Sequence, residues 1–351
     1  MPVPATRRNL LEILSNLEMI RRVAESSTRV ACAPRKNLAR TELAVSNQVR
    51  LSCLVFSLTN IISITVAQDL TTTSGLNSLA EVEFSQLSQR DPNPLGEKAL
   101  AIHPDQWKHA ETEHFIYHFT HSYVATPVSV EAEFHYRVVV KELERDQPAG
   151  DTKSHIYIFE RPEEWQQFQV FGHLEPWTGG IHSAGSLFIQ RNPARKFSGN
   201  ALGHEITHLV MHRFYSDGIP CWLDEGFAQY VSKAAHASYQ RARGYISKPH
   251  SEAISNQNLM PLATLMALTY PPSDRVEIFY DESERLVRFL ASTDKPAFLA
   301  LLDALARHQP FETAFSRIYV GKFASARAME QQFAEYAAKD AGTTLQNVDN
   351  Q

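Results

Sequence analysis

Two histidines four residues apart with a glutamate after the first, His204-Glu205-Ile206-Thr207-His208, are the residues of this 351-residue chain best suited to chemistry. On a helix, 100° per residue brings His204 and His208 to one face a turn apart, where two imidazoles can grip one metal ion. Glu205 then lies beside that ion, where a carboxylate can take a proton from an activated water. Random placement of the chain's 15 His and its Glu residues yields roughly 0.05 such matches, so the motif draws its weight from context. Leu202, Ile206, Leu209 and Val210 supply the apolar positions of a helix over 200–216 around the polar pair.

A catalytic zinc takes a third protein ligand and keeps an open position for water. Glu225 follows His208 by 17 residues, in Trp222-Leu223-Asp224-Glu225-Gly226-Phe227-Ala228-Gln229-Tyr230. A turn at Asp217-Gly218-Ile219-Pro220 and an antiparallel second helix over 222–236 would return Glu225 to the His pair, with Asp224 competing for the ligand role. Gly226 and Ala228 are small enough to let the second helix pack closely on the first.

The elements that must position these residues are legible to either side. Runs 114–120 and 154–160 are apolar, aromatic and β-branched, as strands are, and 185–191 is a third strand after the Gly179-Gly180 hairpin signal. Helical spacing covers 129–145 and 162–171, the latter opened by Pro162. From 222 onward the chain reads as helix after helix. Strands first and helices later predict an α+β fold, a mixed sheet with the active-site helix followed by a helical C-terminal half.

The segments HEITHLVMHRF and IPCWLDEGFAQYVS resemble the gluzincin metallopeptidases, in particular peptidase MA-like proteins with W-L-x-E-G-x-A after H-E-x-x-H. The resemblance is specific over 200–232 and extends more loosely to FYDESERLVRFL at 279–290. It implies a zincin-like fold with His204, His208 and Glu225 as ligands of one catalytic Zn2+ and Glu205 as general base. It also points downstream to a Tyr or His as oxyanion donor; Tyr280 is the first choice, with His236, Tyr239 and Tyr245 as alternatives. Nothing before the helix resembles the Gly-x-Met-Glu-Asn signature of the exopeptidase branch. Where thermolysin-like enzymes place an Asp behind a ligand, four residues after Glu225, this chain has Gln229, which leaves open what orients the His pair; Asp224 is one candidate.

The implied activity is hydrolysis of peptide bonds by a zinc-activated water, with a peptide or protein as substrate. Two alternatives stand beside it: a zinc-binding, catalytically inactive zincin-fold binding or assembly protein, and a zinc amidase acting on cell-wall peptides. Gly185 to Arg191 reads as the edge strand over the cleft, able to hold substrate main chain by β-augmentation, or equally as an internal strand. His212 extends the His stripe as a surface or supporting residue. Cys221 reads as core, and Ser183 lacks G-x-S-x-G spacing.

Charge divides the chain unevenly. Residues 1–50 carry nine Lys/Arg against four Asp/Glu, 51–67 none, and 68–351 the remaining 25 basic and 35 acidic groups. The formal total of −5 leaves no basic stripe for nucleic acid. The uncharged run LSCLVFSLTNIISITVA reads as a signal peptide cleaved after Ala67, or as a membrane anchor, and places the protein outside the cytoplasm, periplasmic or secreted. The basic leader 1–50 is too long for a signal n-region, which suggests a translation start near Val49. Residues 68–106 read as a linker and 107–345 as the catalytic domain.

Overall fold

The computed structural model describes residues 79–146, 152–174, 178–191, 200–215, 218–244 and 260–349, with side chains as far as 338. The leader, the export segment and Tyr245 lie outside the described residues. Among those described, no helix is long and apolar enough to cross a membrane.

The fold is mixed α+β, a six-stranded sheet in the N-terminal part followed mostly by helices, as the zincin-like expectation requires. The strands are β1 (Glu81–Val82), β2 (Lys108–Glu111), β3 (Phe115–Phe119), β4 (Ser154–Phe159), β5 (Gly180–Ser183) and β6 (Ser186–Gln190), in spatial order β1-β2-β3-β4-β6-β5. β3, β4 and β6 run parallel, and β1, β2 and β5 are antiparallel to their neighbours. Parallel pairing needs a long crossover, and α2 (Ser122–Glu142) supplies it between β3 and β4. β3 and β4 are buried at every residue because both sheet faces are covered, which is why they read as continuous apolar runs.

Successive residues of β4 alternate between two cores. Ile156 and Ile158 face α2 and α4 (Ala201–Phe214); Tyr157 and Phe159 face α1 (Pro94–Leu100) and α3 (Pro162–Gly172). The helical half continues with α5 (Cys221–Ala242), α6 (Leu262–Ala267), α7 (Val276–Thr293), α8 (Lys295–Ala306), α9 (Phe311–Ile318) and α10 (Ala326–Asp349).

Three expectations are corrected and one open alternative is decided. Residues 79–106 are not a linker: Leu95, Ala99 and Ile102 are core, Asp91 accepts from Tyr157 Oη and Ser186 Oγ at 2.8 Å each, and Asn93 Nδ2 donates to Ser183 O at 2.7 Å. Those polar residues read as a turn in sequence because their partners lie 66 to 95 residues away. The first long helix begins at Ser122, seven residues before the expected 129, and Pro127 lies inside it. The buried side chains Val124, Ala125 and Val128 hold that first stretch helical through the N–H that Pro127 lacks. The run 186–190 is internal, flanked by β4 and β5, so the edge strand is β5. Finally, Gly226 makes room first of all for α7: a Cβ there would stand 2.4 Å from Ser283 O.

Candidate metal centre

The sequence around His204 folds as a helix because one side of it is apolar. Leu202, Ile206, Leu209 and Val210 are at most 2 % exposed, which leaves the His204 and His208 side chains on the remaining face. The second element is fixed by Trp222, Leu223 and Phe227, also nearly fully buried, each contributing about 1.5–3 kcal/mol to holding the start of α5 in place. The carboxylates between them, Asp224 and Glu225, therefore meet α4 from a rigid frame. α4 and α5 run antiparallel, with the Asn200 amide hydrogen-bonded to the Ser232 hydroxyl at one end and His212 paired with Asp224 at the other.

Three side-chain atoms converge. His204 Nε2 and His208 Nε2 are 3.0 Å apart, and Glu225 Oε2 lies 3.2 Å from the first and 3.3 Å from the second. Donors bound tetrahedrally to zinc at its usual 2.0–2.2 Å stand about 3.3 Å apart, so this triangle fits the ion. Glu225 Oε2 is buried with no hydrogen-bond partner at good geometry, an orphan that a cation would satisfy.

Asp224 lies behind the triangle, and it is the supporting carboxylate that Gln229 does not provide. Its Oδ1 accepts from His208 Nδ1 at 3.0 Å and its Oδ2 from His212 Nε2 at 3.1 Å. Donation from Nδ1 fixes the His208 tautomer with its Nε2 lone pair turned toward the triangle. His204 Nδ1 is buried without a partner.

Charge is arranged to match. Burial pushes the Asp224 carboxyl up, but His208 and His212 outweigh it and hold the group well below the usual carboxylate range. Glu225 shows the same balance: burial raises it, and His208 and His204 bring it down to about 2. Burial lowers His208, and the two carboxylates outweigh this and raise it, so the pocket favours positive charge at the triangle. Glu205 differs. Burial raises it, reinforced by Glu225 and opposed by His204, His208 and a hydrogen bond from the His182 backbone N–H.

The site is closed in by an edge strand and a tyrosine. β5 passes alongside α4, and a Cβ on Gly180 would stand 3.2 Å from Glu205 Cγ, so the glycine gives that carboxylate its room. The His182 ring is 5.2 Å from that of His212, and burial lowers its pKa to about 3, with His212 and His208 adding to the effect. Tyr280, in the second turn of α7, stands edge-on to His204 at 6.0 Å between ring centroids. Burial, with Glu225 and Glu205 nearby, raises its hydroxyl well above the ordinary tyrosine value and keeps it a donor.

The profile of the Peptidase MA superfamily matches residues 139–335, more than half of the chain. The chain belongs to the Peptidase MA superfamily. No curated protein matches it. The family match runs from the second half of α2 into α10 and contains the triangle, Glu205 and Tyr280.

Five residues named from the sequence, His204, Glu205, His208, Glu225 and Tyr280, thus meet in one place. Two alternatives to Tyr280 do not: His236 and Tyr239 lie three to four turns further along α5, beside Glu131 and beside Phe134 and Arg243. Cys221 is core. The residue missed was His182. The Ala184-Gly185 turn, with both residues at positive φ, was the local sign of a tight hairpin that brings it against α4.

Proposed function

We propose that this member of the Peptidase MA superfamily is an exported zinc metallopeptidase of the gluzincin type. The observation that carries the proposal is the convergence of His204 Nε2, His208 Nε2 and Glu225 Oε2 within 3.3 Å of one another, with Glu205 beside them. Zinc bound there supplies a Lewis acid that lowers the pKa of water to about 7 and polarises the scissile carbonyl.

The chain's own residues do the rest. Glu205, held against β5 by the His182 N–H, receives the proton of the attacking water and delivers it to the leaving amine. Tyr280 donates its hydroxyl to the developing oxyanion. Asp224 orients His208 and balances positive charge at the triangle. β5, as the strand with its edge toward the site, is where an extended peptide would pair its main chain. Export rests on the 51–67 segment, and a mature N-terminus at Gln68 would support it.

The test is metal analysis together with a broad peptide-library assay on the wild type and on Glu205→Gln. Zinc retained by both proteins, with cleavage falling about 10²–10⁴-fold in the variant, is the expected outcome. Equal cleavage by both would remove Glu205 from the mechanism; zinc absent from the wild type would remove the site.

A further inference from the structure

His109, His118 and His155 of the sheet hydrogen-bond to one another, but a second His/Glu group, between two helices, does not. Glu131 and His135 lie one helical turn apart on α2, and His236 reaches them from α5. His135 Nε2 is 3.9 Å and His236 Nδ1 3.7 Å from Glu131 Oε1, and all three donor atoms lie within 4.8 Å of one another. These separations are too long for hydrogen bonds. The His135 side chain is 1 % exposed, yet neither of its ring nitrogens has a partner, and His236 Nδ1 has none either. His135 Nε2 and His236 Nδ1 both stand beside Glu131 Oε1, unpaired and buried, at a free-energy cost that a shared ligand would remove.

We infer that Glu131, His135 and His236 form a second metal site, which takes a first-row divalent cation such as zinc and clamps α2 to α5. Spacing separates an ion from a water. Donors around one ion at 2.0–2.2 Å stand roughly 3.3–3.8 Å apart. Donors around one water at hydrogen-bond length stand roughly 4.6–4.9 Å apart. The two Glu131 separations, 3.7 and 3.9 Å, lie nearer the ion's spacing than the water's. The outer partners fit as well. Arg191 Nη2 takes the other Glu131 oxygen, Oε2, at 3.2 Å and leaves Oε1 to the histidines. The Gln240 amide lies 3.4 Å from His236 Nε2, and its own Oε1 is unpartnered. Turned through 180°, that amide accepts the Nε2–H and frees the Nδ1 lone pair of His236.

The place of the site in the fold gives it a purpose. Glu225 and His236 lie on one stripe of α5, 11 residues or about 16 Å apart, so this site is distinct from the first. A Cβ on Gly203 would stand 2.5 Å from His135 Cε1, so the His135 ring packs on the backbone of α4 one residue before His204. An ion holding that ring fixes the back of the helix whose front carries the His pair. It is a structural site, with no second carboxylate among the described residues placed as Glu205 is. Glu131 and His135 precede the stretch matched by the family profile, and the inference stands apart from the proposed peptidase activity.

The test is to load the full chain with zinc, desalt it and count metal by mass spectrometry. Two ions per chain are expected in the wild type, one in His236→Gln, one in Glu225→Gln and none in the double variant. One ion lost by His236→Gln from a wild type that holds only one would uphold this site and reject the first. A wild type with one ion that His236→Gln retains, or two that it retains, overturns the inference. His236 is partly exposed, and cooperative melting of its variants is the check that they fold. In the Glu225→Gln background zinc should raise the melting midpoint; in the double variant it should not. A zinc-induced rise of equal size in both would also overturn the site.

Discussion

Among the described residues two groups have the same composition, two histidines and a glutamate, and their surroundings set them apart. Around Glu225 the donors stand 3.0–3.3 Å apart, Asp224 fixes one imidazole, and Glu205 and Tyr280 lie alongside. Around Glu131 they stand further apart, and an arginine occupies the second carboxylate oxygen. Donor type suits a metal in both places. Reactivity needs, besides, a carboxylate off the ligand set, a neutral donor and a free edge strand, and only the first group has these. Buried histidines without a carboxylate form a third case. His109 Nδ1 and His118 Nδ1 are 2.9 Å apart, as are His118 Nε2 and His155 Nδ1, so the three rings pair across the sheet as neutral groups.

The sharpest way to break this comparison is at the tyrosine. Tyr280→Phe should lower kcat about 10²–10³-fold with zinc content unchanged, read by steady-state kinetics alongside metal analysis. Full activity would leave the first group with no more than a metal and a base. Asp224→Asn comes next: it keeps the shape but weakens the charge behind His208, and should cost about 10–100-fold in zinc affinity by competition with a chelator. Affinity unchanged would mean that the supporting carboxylate does not distinguish the two groups.

Gly203→Ala tests their coupling. The added Cβ must displace the His135 ring, so the melting midpoint should fall by the equivalent of about 1–3 kcal/mol, and cleavage should fall with it because His204 is the next residue. Stability lost with cleavage intact would uncouple the two sites. The smallest effect concerns the third case. Burial lowers His109 to about 4 and holds His118 well below its ordinary value. Between the unfolded value of 6.5 and about 4 the unfolded chain binds more protons, so stability is lost as pH falls through that window. With metal removed by chelator, the midpoint should drop on acidification, and by less in His109→Phe.

Much of the first group was legible because its signals are local. The spacing of His204 and His208, the apolar stripe beside them and the turn before Trp222 all lie within 30 residues, and periodicity reports such arrangements directly. The orienting role of Asp224 was legible only as one option, because it depends on the rotation of α5 about its axis. The Glu131 group escaped because its members come from helices about 100 residues apart, and i, i+4 Glu-His pairs are common on helices that bind nothing. Residues 79–106 escaped for the same reason: Asp91 and Asn93 are turn formers by type, and only the sheet, assembled from distant strands, gives them partners. The edge position of β5 in place of β6 is a matter of strand order, which alternation of side chains does not encode.

Where zinc binds decides whether His204, His208 and Glu225 hold the metal. Anomalous diffraction from crystals of the zinc-loaded chain, recorded on either side of the zinc absorption edge, locates it. The prediction is a strong peak bounded by His204 Nε2, His208 Nε2 and Glu225 Oε2, with Glu205 next to it and unligated. A zinc-loaded crystal with no peak there, or with Glu205 in place of Glu225 among the ligands, would contradict it.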